Sequence, residues 1–256
     1  RLKGDASVDV DAAPAATGPE TVGKILMTSG STSAPKGVPT TNLMMTTNQA
    51  QMAAALPFLA DKPPVLCDWL PWNHVFGGSH NFNMALANGG TLYIDDGKPV
   101  KSLIGRTIEN LTMISPTSAF NVPVGFTFLV EAMKKDTDLR ESYFRNLDMI
   151  FYAGASLPQE VWSGLEDMAM QVRGNIPMMT SSWGLTETAP SALLQHELTD
   201  RSGIVGVPLP EVTVKLIPDD ELRCEIRVKG PNILKEYFEN PEKTAEAFDE
   251  EGFFIT

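Results

Sequence analysis

TSGSTSAPKGV, Thr28–Val38, is the stretch on which the reading of this chain turns. Its eleven residues carry five hydroxyl side chains, two glycines, one proline and one lysine, and they follow the apolar run Ile25-Leu26-Met27. Backbone N–H groups, short hydroxyls and an ammonium group together suit a polyphosphate, and glycine lets the backbone approach it closely. A solvated, Ser-rich surface turn has the same composition. The stretch is not a Walker A loop. That pattern needs G-x-x-x-x-G-K-[ST], whereas here Pro35 precedes Lys36 and Gly37 follows it. The rest of the chain has to separate the two readings.

At 256 residues and 43% hydrophobic content, the chain is long enough for one large core or two smaller ones. A formal charge of −12 argues against general affinity for nucleic acid or anionic membrane, because the long-range field repels polyanions. Any phosphate ligand then needs local positive charge or a metal, which raises the interest of Lys36. Cys67 and Cys224 fit no metal spacing and cannot form a disulfide framework, so a reducing cytoplasm is expected. The apolar runs are too short for a membrane span, and the first residues lack a signal-peptide layout. Residues 5–20, rich in Ala, Pro and acids, read as a linker or approach segment. The closing EGFFIT reads as a strand broken off midway, so a fragment of a longer protein is expected.

Short apolar runs alternate with helical patterns in between. Strands are expected at 24–28, 65–70, 91–94, 113–115, 148–152 and 177–180. Helices are expected at 42–55, with Thr40 or Thr41 as cap, and at 79–87, stopped by Asn88-Gly89-Gly90. Further helices are expected at 101–110, 124–135 and 157–173, the last with Ser156 and Gln159 as a capping box and Pro158 in its first turn. This predicts an α/β core, largely parallel, over 21–205. Beyond it, 211–217 and 223–229 read as antiparallel strands joined through Pro218-Asp219-Asp220, and 241–248 as an acidic helix. They suggest a partial β-rich subdomain over 206–256. In parallel α/β sheets ligands sit beyond the C-terminal strand ends, which points to the loops after Thr28, Leu70, Tyr152 and Thr180.

Those loops carry PWNHVFGG (71–78), AGAS (153–156) and TSSWGLTET (180–188). Singly, His74 also fits a core histidine, Trp183 ordinary packing, Glu187 a solvated surface acid and AGAS a tight turn. As a set, TSGSTSAPKGV followed about 150 residues later by a WGLTET element resembles the adenylate-forming superfamily of acyl-CoA synthetases, luciferases and peptide adenylation domains. That superfamily's phosphate loop reads [ST]-S-G-[ST]-T-G-x-P-K-G and its adenine-and-metal element Y-G-x-T-E. DWLPWNHVFGG, NGGTLYIDDGKP, FNVP, FYAGASLPQ and GLTETAPS further resemble bacterial feruloyl-CoA synthetases, from about residue 20 onward.

The resemblance implies an α/β fold, a fragment of the family's N-terminal domain with part of a β-rich subdomain and no C-terminal lid domain. It implies ATP, Mg²⁺ and coenzyme A as co-substrates and cofactors, and a hydroxycinnamate as the small carboxylic acid that passes through an acyl-adenylate before thioesterification. Thr28, Ser29, Ser31, Thr32, Ser33 and Lys36 would hold the phosphates, with Gly30 and Gly37 letting the loop wrap them. Glu187 would hold Mg²⁺, and Thr186 would contact the α-phosphate. Trp183 would stack on adenine, with Ser182 beside it and Gly154, Ala155 and Ser156 on the other face. His74 would sit at the acid's carboxylate, and Phe76, Phe120, Asn121, Val122 and Gly184 would line the aryl pocket. Lys36 and Glu187 are expected on exposed loops. Two positions depart from the family pattern: Ser33 stands for a glycine and Trp183 for a tyrosine. The family's ribose-binding T-G-D element and adenylation lysine are not in the sequence, so the piece alone is expected to be inactive. Another adenylate-forming activity, such as a fatty acyl-CoA ligase or a carrier-protein loader, fits the superfamily motifs as well. So does a nucleotide-binding module that has lost catalysis.

Overall fold

The structure, a computed structural model, describes residues 12–28, 35–220 and 222–256. A short helix α1 (Ala12–Ala15) leads into an antiparallel hairpin of β1 (Val22–Thr28) and β2 (Lys36–Thr41), with Thr28 paired to Lys36 at the loop end. Strand β2 thus stands ahead of helix 42–55, where the sequence predicts the loop running straight into that helix. Val38 and Thr40 are fully buried at a spacing of two, the strand period, but Gly37 and Pro39 between and beside them disguise it. Helix α2 (Asn42–Ala55) follows at once. Its cap is Thr41, whose hydroxyl accepts from the Met44 N–H at 3.2 Å, while Thr40 stays in the strand.

Helix α3 (Phe58–Asp61) and strand β3 (Val65–Asp68) precede a π-helical turn over Phe76–Asn81, which runs into α4 (Phe82–Ala87). The single helix expected at 79–87 is thus two kinds of helix end to end. Its C-terminus behaves as the Gly pair implied. Gly89 has φ +60, and the Gly90 N–H reaches back to Ala85 O at 2.7 Å. Next come β4 (Thr91–Ile94), α5 (Ile104–Met113) and β5 (Ser118–Asn121). The strand expected at 113–115 is displaced to 118–121. Met113 still belongs to α5, and Pro116 has no N–H for a ladder, so pairing starts at Thr117. There the Thr117 N–H bonds Val65 O at 2.9 Å and the Thr117 hydroxyl accepts from the Val65 N–H at 2.8 Å.

Helix α6 (Pro123–Met133) is followed by α7 (Thr137–Arg145), which sequence reading left out. Its N-cap is Asp136, accepting from the Leu139 N–H at 3.0 Å. After β6 (Met149–Tyr152), helix α8 (Gln159–Arg173) begins at Pro158 with no side-chain cap, so the expected Ser156–Gln159 capping box does not form. The chain continues through β7 (Met178–Trp183), β8 (Leu193–Leu194), β9 (Val207–Pro208), β10 (Thr213–Asp220), β11 (Arg223–Lys229), α9 (Pro241–Glu246) and β12 (Phe254–Ile255). Pro218, Asp219 and Asp220 lie within β10 rather than forming the turn, and α9 stops two residues short of its expected end.

The largest sheet has the order β5-β6-β7-β8-β9, with the first three strands parallel and the rest antiparallel. All four residues of β6 are buried, as a central parallel strand covered on both faces requires. Met149 and Phe151 join the cluster containing Phe120, Leu193 and Tyr237. Ile150 and Tyr152 face the opposite cluster with Phe126, Trp162 and Leu165. Strands β10-β11-β12 form a separate antiparallel sheet, and Val228 and Phe254 from it pack into the first cluster. No helix among the described residues is long and apolar enough to cross a membrane.

Candidate active site

Strands β3, β5, β6 and β7 end on one side of the molecule, and the segments leaving them enclose a cavity of about 640 Å³. Trp69, Leu70, Phe76, Val122 and Tyr152 give it an aromatic and apolar wall. Gly154, Ala155 and Ser156 form an exposed rim after β6, and Ser182, Trp183 and Gly184 at the end of β7 line the same cavity. Gly184 cannot carry a side chain: a Cβ there would lie 1.8 Å from Pro190 O. The missing Cβ lets the 188–191 loop close against the end of β7. Asn232, fully buried, pins that loop by donating to Thr188 O at 2.7 Å and Ser191 O at 2.9 Å, and Asn48 donates to the same Ser191 O at 2.9 Å.

A second cavity of about 520 Å³ lies alongside, lined by Thr28, Lys36, Thr186, Glu187, Tyr237 and Lys243 among others. It is the more polar of the two. His74 lines both cavities. Its Nδ1 accepts the Phe76 N–H at 3.2 Å, so the Nε2 side is left to donate. Partial shielding lowers the imidazole pKa below its ordinary value, which favours the neutral ring.

Lys36 and Glu187 are joined through a residue that sequence reasoning missed. The Lys36 ammonium donates to the Tyr237 hydroxyl at 2.8 Å, and that hydroxyl donates to Glu187 Oε1 at 2.8 Å. Burial first, then the neighbouring Glu187 charge, raises the phenol pKa and keeps it a neutral donor. Neither end lies on the exposed loop expected. Lys36 is the first residue of β2 and half-buried, and Glu187 is 7% exposed in a 3₁₀ turn over Thr186–Thr188. Nothing in the local sequence marks Tyr237, whose partner is fifty residues away in the chain.

The structure thus gathers Thr28, Lys36, Thr186 and Glu187 at one cavity, and Phe76, Val122, Gly154, Ala155, Ser156, Ser182, Trp183 and Gly184 at the other, with His74 between. It does not bring Phe120 or Asn121 to a cavity surface. Phe120 stands behind the wall, its ring 6.4 Å from Phe76 and 5.3 Å from Phe151. The Asn121 side-chain oxygen is taken up by the Trp69 indole N–H at 3.1 Å and the Val122 N–H at 2.9 Å. Gly37 is buried in β2, where its carbonyl accepts the Phe238 N–H at 2.8 Å. Ser29, Gly30, Ser31, Thr32 and Ser33 lie outside the described residues.

Among the described residues no group of three or more His, Cys, Asp or Glu could hold a metal ion. On the second cavity Glu187 and Glu246 are carboxylates, and Glu246 is paired with Lys243. A carboxylate such as Glu187 is a ligand type that suits Mg²⁺, which takes one or two protein oxygens and completes its shell with other oxygens, including water.

Thr28 and Lys36 at paired strand ends, a carboxylate tied to that lysine through Tyr237 and an aromatic cavity next to them come together in an α/β fold. The chain belongs to the AMP-binding enzyme family, which it matches over residues 2–238. It is 29% identical over 245 residues to luciferin 4-monooxygenase of Nipponoluciola cruciata, an alignment covering 93% of this chain and 42% of that protein. It is 25% identical over 228 residues to a long-chain-fatty-acid–CoA ligase of Salmonella typhimurium, covering 86% and 38%. Among solved structures, a malonyl-CoA ligase with methylmalonyl-CoA and AMP bound superposes with a TM-score of 0.73 at 28% identity, covering 91% of this chain and 48% of that one. The chain spans less than half the length of each of these relatives.

Proposed function

We propose that this chain forms the nucleotide- and acid-binding part of an acid–CoA ligase that activates a hydroxycinnamate. The observation that carries the reading is the position of His74, shared by an aromatic cavity and a polar cavity that holds Lys36 and Glu187. An aryl acid in the first cavity would put its carboxylate at His74, where the Nε2 hydrogen can orient it. A carboxylate oxygen then attacks the α-phosphorus of ATP, and the bond to pyrophosphate breaks. Lys36 and the loop before it would hold the β- and γ-phosphates and stabilise the charge that builds on them. Thr186 would contact the α-phosphate. Glu187 would hold Mg²⁺, which would supply charge neutralisation to the phosphates when bound. Trp183, which lines the same cavity as Gly154–Ser156, would take the adenine. In the second half-reaction the CoA thiol attacks the acyl carbon and AMP leaves, a step we assign to the whole protein.

Aromatic lining by Trp69, Phe76 and Tyr152 supports an aryl acid over a saturated chain. The test is acid-dependent ATP–pyrophosphate exchange by the full-length protein with ferulate, caffeate, p-coumarate and palmitate. Exchange with the three hydroxycinnamates well above that with palmitate is expected. Equal or faster exchange with palmitate would overturn the aromatic assignment in favour of a fatty acyl-CoA ligase.

A further inference from the structure

His80 lines the aromatic cavity and is 1% exposed. Phe76, Phe120 and Phe151 surround its ring at centroid distances of 5.7, 5.4 and 4.7 Å. Its Nδ1 lies 2.9 Å from Asn81 Oδ1. The same Asn81 amide donates through Nδ2 to Asp68 Oδ2 at 2.8 Å, which fixes the end that faces the imidazole. Asp68 is held in turn by the Leu70 N–H, 3.1 Å from Oδ1. An amide oxygen only accepts, so the shared proton sits on His80 Nδ1, and Nε2 keeps a bare lone pair. Burial pushes the imidazole pKa down to about 4, so the ring stays neutral near pH 7. Nε2 is buried, yet it finds no hydrogen-bond partner among the described residues. A buried polar atom left that way is uncommon and calls for a reason.

We propose that His80 Nε2 accepts a hydrogen bond from a ring hydroxyl of the aromatic acid, so that the protein selects acids carrying that donor at the end remote from the carboxylate. This rests on the acid-activating reading above. The Asp68–Asn81–His80 relay sets the polarity of the choice. A phenol hydroxyl supplies the missing proton, whereas an ether oxygen offers Nε2 a second lone pair. An unsubstituted ring leaves Nε2 unpaired. Sites built around a buried polar group reject an analogue lacking the partner more strongly than an apolar pocket rejects a small change in size.

The experiment compares 4-hydroxycinnamate, 4-methoxycinnamate and cinnamate in ATP–pyrophosphate exchange by the full-length protein. The expected kcat/KM for the hydroxy acid is roughly tenfold or more above that for either analogue. In His80→Phe, which replaces the acceptor by an apolar ring, the ratio of hydroxy acid to cinnamate should fall towards one. His80→Gln, which keeps an acceptor oxygen, should retain part of the preference. A wild-type ratio near one overturns the proposal even if neither variant folds, and so does an unchanged ratio in His80→Phe. Similar exchange with all three acids removes only the role of His80. No exchange with any of them removes the hydroxycinnamate reading, and this proposal with it.

Discussion

Replacing Tyr237 by phenylalanine removes one oxygen and two hydrogen bonds, those from Lys36 and to Glu187, each 2.8 Å long. The ring itself is 3% exposed and stays in place, so its packing is preserved. A hydrogen bond to a charged acceptor contributes about 1.5–3 kcal/mol, and Glu187 is shielded enough for that range to apply. The Lys36 side is half-open to solvent and adds at most about 1 kcal/mol. The expected loss is therefore about 2–3 kcal/mol. At about 2–4 °C per kcal/mol for a domain of this size, Tm should fall by about 5–10 °C. Calorimetric melts of wild type and Tyr237→Phe measure this directly. Repeating them at about 1 M salt screens the lysine part and leaves the phenol–carboxylate part. Because Tyr237 stays protonated, the difference should hold steady between about pH 6 and 9. A Tm within about 1 °C of wild type would show that Glu187 does not depend on this donor, and the reasoning would be wrong.

In the full-length protein, Lys36→Ala should cut pyrophosphate exchange by about 10²–10³, the scale for one preorganised charge-stabilising group. Its melt should move less than that of Tyr237→Phe, and an equal or larger loss of stability would make Lys36 a structural residue. Burial, only partly opposed by its bonds from Asn81 and Leu70, raises the Asp68 pKa to about 6 from an ordinary value near 3.8. The folded state thus holds a proton there that the unfolded chain releases, so this contribution to stability is present below about pH 4 and lost as pH rises through 6. Asp68→Asn should accordingly gain Tm relative to wild type between about pH 4 and 6.5, and a flat difference would refute the shift. Gly184→Ala forces a Cβ to 1.8 Å from a backbone carbonyl and should cost about 1–3 kcal/mol or more in urea melts, with Asn232 and Asn48 resisting relaxation of the loop. An unchanged midpoint would show that this loop does not close against Gly184.

Sequence patterns point to those parts of the candidate site whose chemistry is local. The hydroxyl-rich stretch, the WGLTET element and the small residues after Tyr152 each announce themselves in a few neighbouring residues, and of these the structure sets Thr28, Lys36, Thr186 and Glu187 at one cavity and Gly154–Ser156 and Trp183 at the other. The α/β alternation was legible for a similar reason, since a short, wholly apolar run such as Met149–Tyr152, bounded by Asp148 and Gly154, fits a covered strand. What escaped was set by distant partners. Tyr237 has meaning only beside Glu187, and Asn232 only beneath the 188–191 loop. Strand β2 was hidden because Gly37 and Pro39 disfavour strands by themselves, and pairing with β1 outweighs that. Asn121 read as pocket lining because its neighbours Phe120 and Val122 are apolar, yet its amide oxygen is spent on Trp69 and on the backbone. His80 gave no signal at all, since a histidine between a serine and an asparagine fits any polar turn.

The π-helical turn at Phe76–Asn81 bears on how such a pocket can change over generations. Its last turn closes with the Phe82 N–H reaching Gly77 O, five residues back, so it holds one residue more than an α-helix would. The extra residue is held within the turn, so deleting a single codon there would restore ordinary winding and change which side chains of the turn face the cavity, without rotating the helix that follows. His80 would leave the cavity floor, and another side chain would take its place. Helix α4 and its glycine-capped end lie downstream and could keep their contacts. Few point substitutions could redraw so much of the cavity lining while sparing the scaffold, which makes the turn a place where that lining can change by small insertions and deletions.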